Sequence, residues 1–258
     1  MTGLGSRLRE NDENSYSIRV TGSDHRTATR WRDAAASAAS RALPEETAVA
    51  IVVNGSTHAV MLATPADLVD FGRGFALTER LVDSAAEIEA IEVVAQPPGI
   101  EVRLWLSPAR AAAATAARHR LVGPTGCGLC GVESLAAALP PVRRVEAAGP
   151  GPTPDEIIVA VAALGHAQPL GQATRAVHAA ALWRRGAALV VREDVGRHNA
   201  LDKLIGAVAG SDCGDAVLLL TSRVSVEMVG KAAVLGAQSS SRSRPQRHWR
   251  STRRSPLA

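Results

Sequence analysis

The chain has 258 residues, 46% hydrophobic but only 3% aromatic, with 29 basic against 25 acidic side chains. That is enough apolar material for one large domain or two small ones, with a core that must be built from Ala, Val and Leu. No apolar run reaches the roughly 18 residues of a membrane span and the N-terminus lacks a signal-peptide stretch, so a cytoplasmic protein with no membrane partner is expected.

The positive excess is local. Residues 239–258 hold Arg242, Arg244, Arg247, Arg250, Arg253 and Arg254 and no acid, so the remaining 23 basic residues face 25 acids. A nucleic-acid partner is therefore not expected, although Arg/Ser runs can bind phosphate backbones without sequence preference. Lysine is nearly absent: Lys203 and Lys231 are the only two. Three cysteines, two of them in C-x-x-C, suit a reducing compartment better than a disulfide framework.

In chain order, residues 1–43 are polar, with scattered Arg and Ser and an Ala/Ser patch at Ala34–Ser40, and read as a poorly ordered arm with at most one short helix. Residues 44–125 read as an N-terminal α+β part. Thr47–Val53 and His58–Ala63 form a hairpin about Asn54-Gly55. Thr64-Pro65-Ala66-Asp67 opens a helix running to about Leu81. Ile91–Val94 pairs with Ile100–Leu106, and Ala109–Ala117 is an Ala-rich helix.

That helix leads to Gly126-Cys127-Gly128-Leu129-Cys130-Gly131, a C-x-x-C set in glycines. A thiol is nucleophilic only as the thiolate, which the positive end of a helix favours. The spacing of Val132, Leu135, Ala136 and Leu139 predicts a short helix capped at Gly131, with Cys130 near its free N–H groups. Residues 126–131 are thus read as a mobile loop with two reactive sulfurs. No metal is expected, because a structural zinc needs four ligands and the one further cysteine is Cys213. A thioredoxin-like exchanger remains open, although its C-x-x-C follows the first strand of a small domain. A zinc deaminase is disfavoured, since no histidine is followed by x-Glu.

Residues 132–237 read as an α/β part. Thr153-Pro154-Asp155-Glu156 caps a helix to about Leu164, and Ala176–Trp183 with Ala187–Arg192 forms a hairpin. Glu193–Gly206 is a strand end, a polar turn and a helix, with Asn199 and Asp202 resembling a capping box. The turn with Asp194, Arg197 and His198 would then face a helix N-terminus suited to an anion such as phosphate. Ala216–Leu220, Thr221–Ser225 and Val226–Leu235 repeat the design, which implies a parallel sheet collecting both polar turns at one edge. The plainer readings are a local ion-pair network of Asp194, Arg197 and Asp202, and a solvated helix pair of Glu227 and Lys231.

Cys127–Gly131, the run Val191–Gly206 and Thr221–Val229 together resemble the FdhD family of formate dehydrogenase accessory sulfurtransferases. The shorter matches Val53-Asn54-Gly55, Thr64-Pro65 and Gly74–Glu79 extend the similarity over about residues 45–237. The resemblance implies an α/β fold with a cytidine-deaminase-like mixed sheet and flanking helices, beside the smaller N-terminal part. It also implies a relay. An IscS-type cysteine desulfurase would charge Cys127 as a persulfide, with Cys130 assisting or protecting it. The sulfur would pass to the molybdenum bis(guanine dinucleotide) cofactor before that cofactor enters formate dehydrogenase. The cofactor would be bound as substrate by Arg197, His198, Asn199, Ser222 and Arg223, and a homodimer is the expected assembly. Two other readings stay open: a non-catalytic module that only holds the cofactor or its target enzyme, and a C-x-x-C thiol-disulfide oxidoreductase.

One stretch departs from the family. After Gly236-Ala237 the family continues with a strand and a helix that contribute to the cofactor site, whereas residues 238–258 form an Arg/Ser-rich tail without period 2 or 3.6. Codons can be chosen so that the neighbouring frame reads an apolar strand, so the tail is expected to be a disordered frameshift product with the C-terminal strand and helix lost.

Overall fold

The computed structural model describes residues 23–32, 35–118, 145, 150–237 and 239–242. Two four-stranded sheets enclose a layer of helices. The first has the order β4-β3-β6-β5, from β3 (Thr47–Val53), β4 (Ser56–Ala63), β5 (Ile88–Gln96) and β6 (Gly99–Leu106). Its hairpins are antiparallel and β3 runs parallel to β6. Val49, Ile51, Val102 and Leu104 point to one face of it and are fully buried there with Phe71 and Phe75 of α1 (Leu68–Thr78). After β6 comes α2 (Pro108–Arg118).

The second sheet has the order β10-β9-β7-β8, from β7 (His178–Trp183), β8 (Val190–Asp194), β9 (Val217–Leu220) and β10 (Ser239–Arg242). Residue-by-residue alternation divides its two faces. Ala180, Leu182, Leu218 and Leu220 pack on α5 (Arg197–Ala207) and α6 (Val226–Leu235), while Ala179, Ala181, Val217 and Leu219 pack on α3 (Pro154–His166). Both faces of β7 and β9 are therefore covered, which explains why these strands read as unbroken apolar runs. Between α3 and β7 lies the short α4 (Pro169–Thr174).

Layered between the sheets, α1 and α5 cross at two glycines. A Cβ on Gly74 would stand 1.7 Å from the carbonyl oxygen of Asp202, and one on Gly206 would stand 1.9 Å from that of Asp70. The two helix backbones approach as closely as they do only because both positions lack a side chain. No helix of the described residues is long and apolar enough to cross a membrane.

Several expectations need correction. Of the expected poorly ordered arm, residues 1–43, the described part is extended and holds no helix: β1 (Ser23–Arg32) and β2 (Ala35–Pro44) pair antiparallel along their whole length. Ala and Ser at positions 35–40 have little strand preference of their own, and the extended backbone there goes with pairing to β1, context outweighing propensity. The C-terminal strand is not lost either, since Ser239–Arg242 pairs parallel to β9 through backbone groups that require no apolar pattern. β8 and β9 are not neighbours: β7 lies between them, antiparallel to each, so the sheet is mixed although both strands end at the same edge.

Candidate functional site

Three sequence stretches singled out above meet where α1, α5 and α6 pack together: Gly74–Glu79, Arg197–Gly206 and Ser225–Val229. Two buried charge clusters lie among them, each built on one of the chain's two lysines.

The first is centred on Asp194, the last residue of β8, whose side chain and that of Lys203 are wholly buried with 2.6 Å between Oδ2 and Nζ. The remaining valences of Asp194 are filled by its neighbours. Oδ2 accepts from the Thr64 N–H (2.9 Å), and Oδ1 accepts from the Gly196 N–H (2.7 Å) and from Asn199 Nδ2 (2.9 Å). Lys203 also donates to the Thr64 carbonyl (2.9 Å), and Asn199 to the Leu62 carbonyl (2.9 Å). The Thr64 hydroxyl accepts from the Val195 N–H at 3.2 Å. With its N–H, C=O and hydroxyl engaged by Asp194, Lys203 and Val195 respectively, Thr64 is held in the joint between the sheets and does not begin a helix. That is why α1 starts at Leu68, with Asp67 in the left-handed region (φ 54°) and not acting as a side-chain cap.

This network corrects the capping prediction. The helix begins at Arg197 with Gly196 as N-cap, and Asn199 lies inside the first turn, holding Asp194 instead of capping. The carboxylate of Asp194 already occupies the helix start, so the anion expected there is supplied by the chain itself. Nor do Asp194, Arg197 and Asp202 form one ion-pair network, since Asp194 pairs with Lys203 and Asp202 with Lys231.

The second cluster is centred on Lys231. Its ammonium contacts Asp202 Oδ2 at 2.8 Å, Glu79 Oε1 at 3.0 Å and the Thr78 hydroxyl at 3.0 Å, and that hydroxyl donates to Asp202 Oδ1 at 2.8 Å. The expected Glu227–Lys231 surface pair is not made, because Lys231 faces inward. Burial acts first on both partners: it raises the Asp202 pKa, with the Glu79 charge adding to it, and it opposes the charged form of Lys231. The two carboxylates facing one ammonium outweigh that burial and raise Lys231 as well.

His198 borders this cluster. Burial, and after it the Arg197 and Lys231 charges, push its pKa down to about 4, so the imidazole is neutral at physiological pH. Among the described residues its Nε2 is buried without a hydrogen-bond partner, as are Ser225 Oγ and Glu227 Oε2 at the start of α6. Three orphaned polar atoms at two adjoining helix N-termini make a surface suited to a polar ligand.

The other candidate residues are distributed as follows. Ser222 is buried, donating to the Arg223 carbonyl at 3.0 Å, and Arg223 is exposed on the turn after β9. Arg197 is half-buried in the first turn of α5. The structure thus brings Arg197 and His198 to one helix end and Ser222 and Arg223 to the neighbouring strand end, while Asn199 has a structural role. Cys127, Cys130 and the helix predicted from Val132 lie outside the described residues, in the segment joining α2 to α3. Sequence reasoning missed Thr64, Thr78 and Glu79 as partners of the buried lysines. The signal was available in the rarity of lysine.

A family model described as the FdhD/NarQ family matches residues 44–247, a span that includes β10 and part of the Arg-rich tail. The chain is 48% identical over 211 residues to the sulfur carrier protein FdhD of Agrobacterium fabrum, covering 81% of this chain and 78% of that protein. It is 49% identical over 200 residues to the protein of the same name from Brucella abortus, with coverage of 76% and 74%. A crystal structure of a protein assigned as a formate dehydrogenase accessory protein, from Desulfotalea psychrophila, superimposes with a TM-score of 0.62 at 25% identity and 85% coverage of both chains. With relatives nearly half identical and a match spanning both sheets, the chain belongs to the FdhD/NarQ family.

Proposed function

We propose that this protein is a sulfur carrier that takes sulfur from an IscS-type cysteine desulfurase and delivers it to the molybdenum bis(guanine dinucleotide) cofactor ahead of its entry into formate dehydrogenase. The observation that supports this most is the likeness to relatives named as sulfur carrier proteins over about four-fifths of the chain. The cytidine-deaminase-like arrangement belongs to the same proposal, supported by a mixed sheet covered by helices on both faces.

In the loading step the Cys127 thiolate attacks the outer sulfur of the desulfurase persulfide. A new S–S bond forms on Cys127, the old one breaks, and the desulfurase cysteine leaves as thiolate. For release, the Cys130 thiolate attacks the inner sulfur of the Cys127 persulfide. That forms a Cys127–Cys130 disulfide and expels hydrosulfide, the two thiols supplying the two electrons that reduce the sulfane sulfur. A dithiol reductant then restores the pair.

The cofactor would be bound as substrate at the edge where β8 and β9 end. Arg197 and Arg223 offer charge-assisted donors for its phosphates, Ser222 lies in the same turn as Arg223, and the orphaned atoms of His198, Ser225 and Glu227 await polar partners. Asn199 supports the site indirectly by fixing Asp194 and the start of α5. The neutral imidazole of His198 can accept or donate one hydrogen bond without adding charge.

The test is to incubate the protein with a cysteine desulfurase and cysteine and to map the added sulfur by mass spectrometry. One extra sulfur on Cys127, absent from Cys127→Ala, is the expected result. A protein that restores formate dehydrogenase activity in a deficient strain while carrying Cys127→Ala would be a holder, not a carrier.

A further inference from the structure

The two sheets are covered differently. Both faces of the second carry helices, whereas α1 and α2 pack on the same face of the first, where Phe71, Phe75 and Ala114 meet the strands. A sheet face left to water carries polar residues, alternating with the apolar ones that face the core. The outer face of the first sheet breaks that rule. Alternation and register place Val60 and Leu62 of β4 there beside Ala50 and Ala48 of β3, with Trp105 of β6 on the same face. Val60 is 54% exposed, Leu62 58% and Trp105 38%.

The charges on this face form a single row that carries both signs. Arg103 pairs with Glu101, two residues earlier on β6, at 2.7 Å, and stands opposite Glu92 of β5. β4 has no charged residue at any position from Ser56 to Ala63. A contact between two copies about a twofold axis sets the same patch against itself, so it must be complementary to itself. This face meets that condition. Reversing the row about such an axis brings Glu101 of each copy towards Arg103 of the other, and the flanking positions oppose apolar to apolar. An aromatic side chain among aliphatic ones, with a polar rim, is also the composition of a contact centre.

We propose that the outer face of the first sheet is where a second copy of this chain docks, face to face about a twofold axis, with Val60, Leu62 and Trp105 as its buried anchors. The face is four strands wide at about 4.8 Å each, the scale of a small interface, so a dimer that dissociates at micromolar concentration is expected.

Sedimentation velocity of the full-length protein between about 1 and 100 µM tests this, and a dimer that dissociates on dilution is the expected result. Val60→Lys places an unpaired charge in the contact twice over, and at about tenfold for each it should raise the dissociation constant about a hundredfold or more. Its melting temperature should hold, because the position is exposed. Ile158→Lys, at a 66% exposed site on α3, should leave the dimer unchanged. Dilution should also shift tryptophan emission to the red, and Trp105→Phe should abolish the shift. A protein still monomeric at the highest concentration overturns the proposal, leaving the face to a different protein or to another segment of the chain. A Val60→Lys protein that dimerises like wild type, or an emission shift that persists in Trp105→Phe, overturns it equally by placing the contact elsewhere.

Discussion

The Lys203 ammonium lies 2.6 Å from the Asp194 carboxylate, and neither side chain has any exposed surface. This pair ties three parts of the fold together. Asp194 ends β8, Lys203 lies on α5, and both bind the backbone of Thr64, which follows β4 of the other sheet.

Removing one partner leaves the other charged and buried, which costs about 3–5 kcal/mol. Lys203→Met should therefore lower the unfolding free energy by that amount in urea titration, well beyond an exposed substitution such as Arg223→Ala, which should stay within about 0.5 kcal/mol. A Lys203→Met protein of wild-type stability would mean that the pair is dispensable to the joint between the sheets.

The helix crossing makes a prediction with an internal control. Gly74→Ala places a methyl group on the Asp202 carbonyl, so α1 and α5 must separate, and a loss of about 1–3 kcal/mol or more is expected. Gly230, within α6, has open space where its Cβ would go. Gly230→Ala should instead raise stability by roughly 0.5–1 kcal/mol, because glycine loses more backbone entropy in a helix. Thermal melts of the two variants should move in opposite directions.

Much of this was legible in the sequence, and the failures have definite causes. Alternation and the Asn54-Gly55 turn located β3 and β4, and periodicity located α6 to the residue. Sequence reasoning failed where partners are distant in the chain. Thr64-Pro65-Ala66-Asp67 has the local chemistry of a helix start, but a contact 130 residues away engages Thr64 first. Asn199 and Asp202 have capping-box spacing, yet each is claimed by a buried tertiary partner. The β1–β2 hairpin lacks apolar alternation and draws on mutual backbone pairing, which no local pattern reveals.

Lys231 neutralises two facing carboxylates, and its removal should enlarge a pH response that the raised Asp202 already gives in the wild type. In Lys231→Met, Asp202 and Glu79 face each other without a cation, and a loss of about 3–5 kcal/mol is expected at neutral pH. Asp202 is already raised by burial, so in the variant the native state binds a proton more readily than the unfolded chain. Its stability should then recover as the pH falls from 7 towards 5. Continued decline over that range would show that Asp202 stays ionised.

His198 acts in the opposite sense. Its native pKa, about 4, lies below the ordinary value of 6.5, so between these values the unfolded chain binds a proton that the native state refuses. Stability from this group is complete above pH 6.5 and is lost as the pH falls towards 4, by at most about 3 kcal/mol. Asp202 and Lys231 are present in both proteins, so comparing wild type with His198→Gln isolates the imidazole. Urea titrations at pH 7 and pH 5 should show wild type losing more stability than His198→Gln over that interval. Equal losses would mean that His198 takes up a proton freely in the folded protein, and a cationic ring beside Arg197 and Lys231 would then have to be found a counter-charge, for which the orphaned oxygen of Glu227 is the nearest candidate.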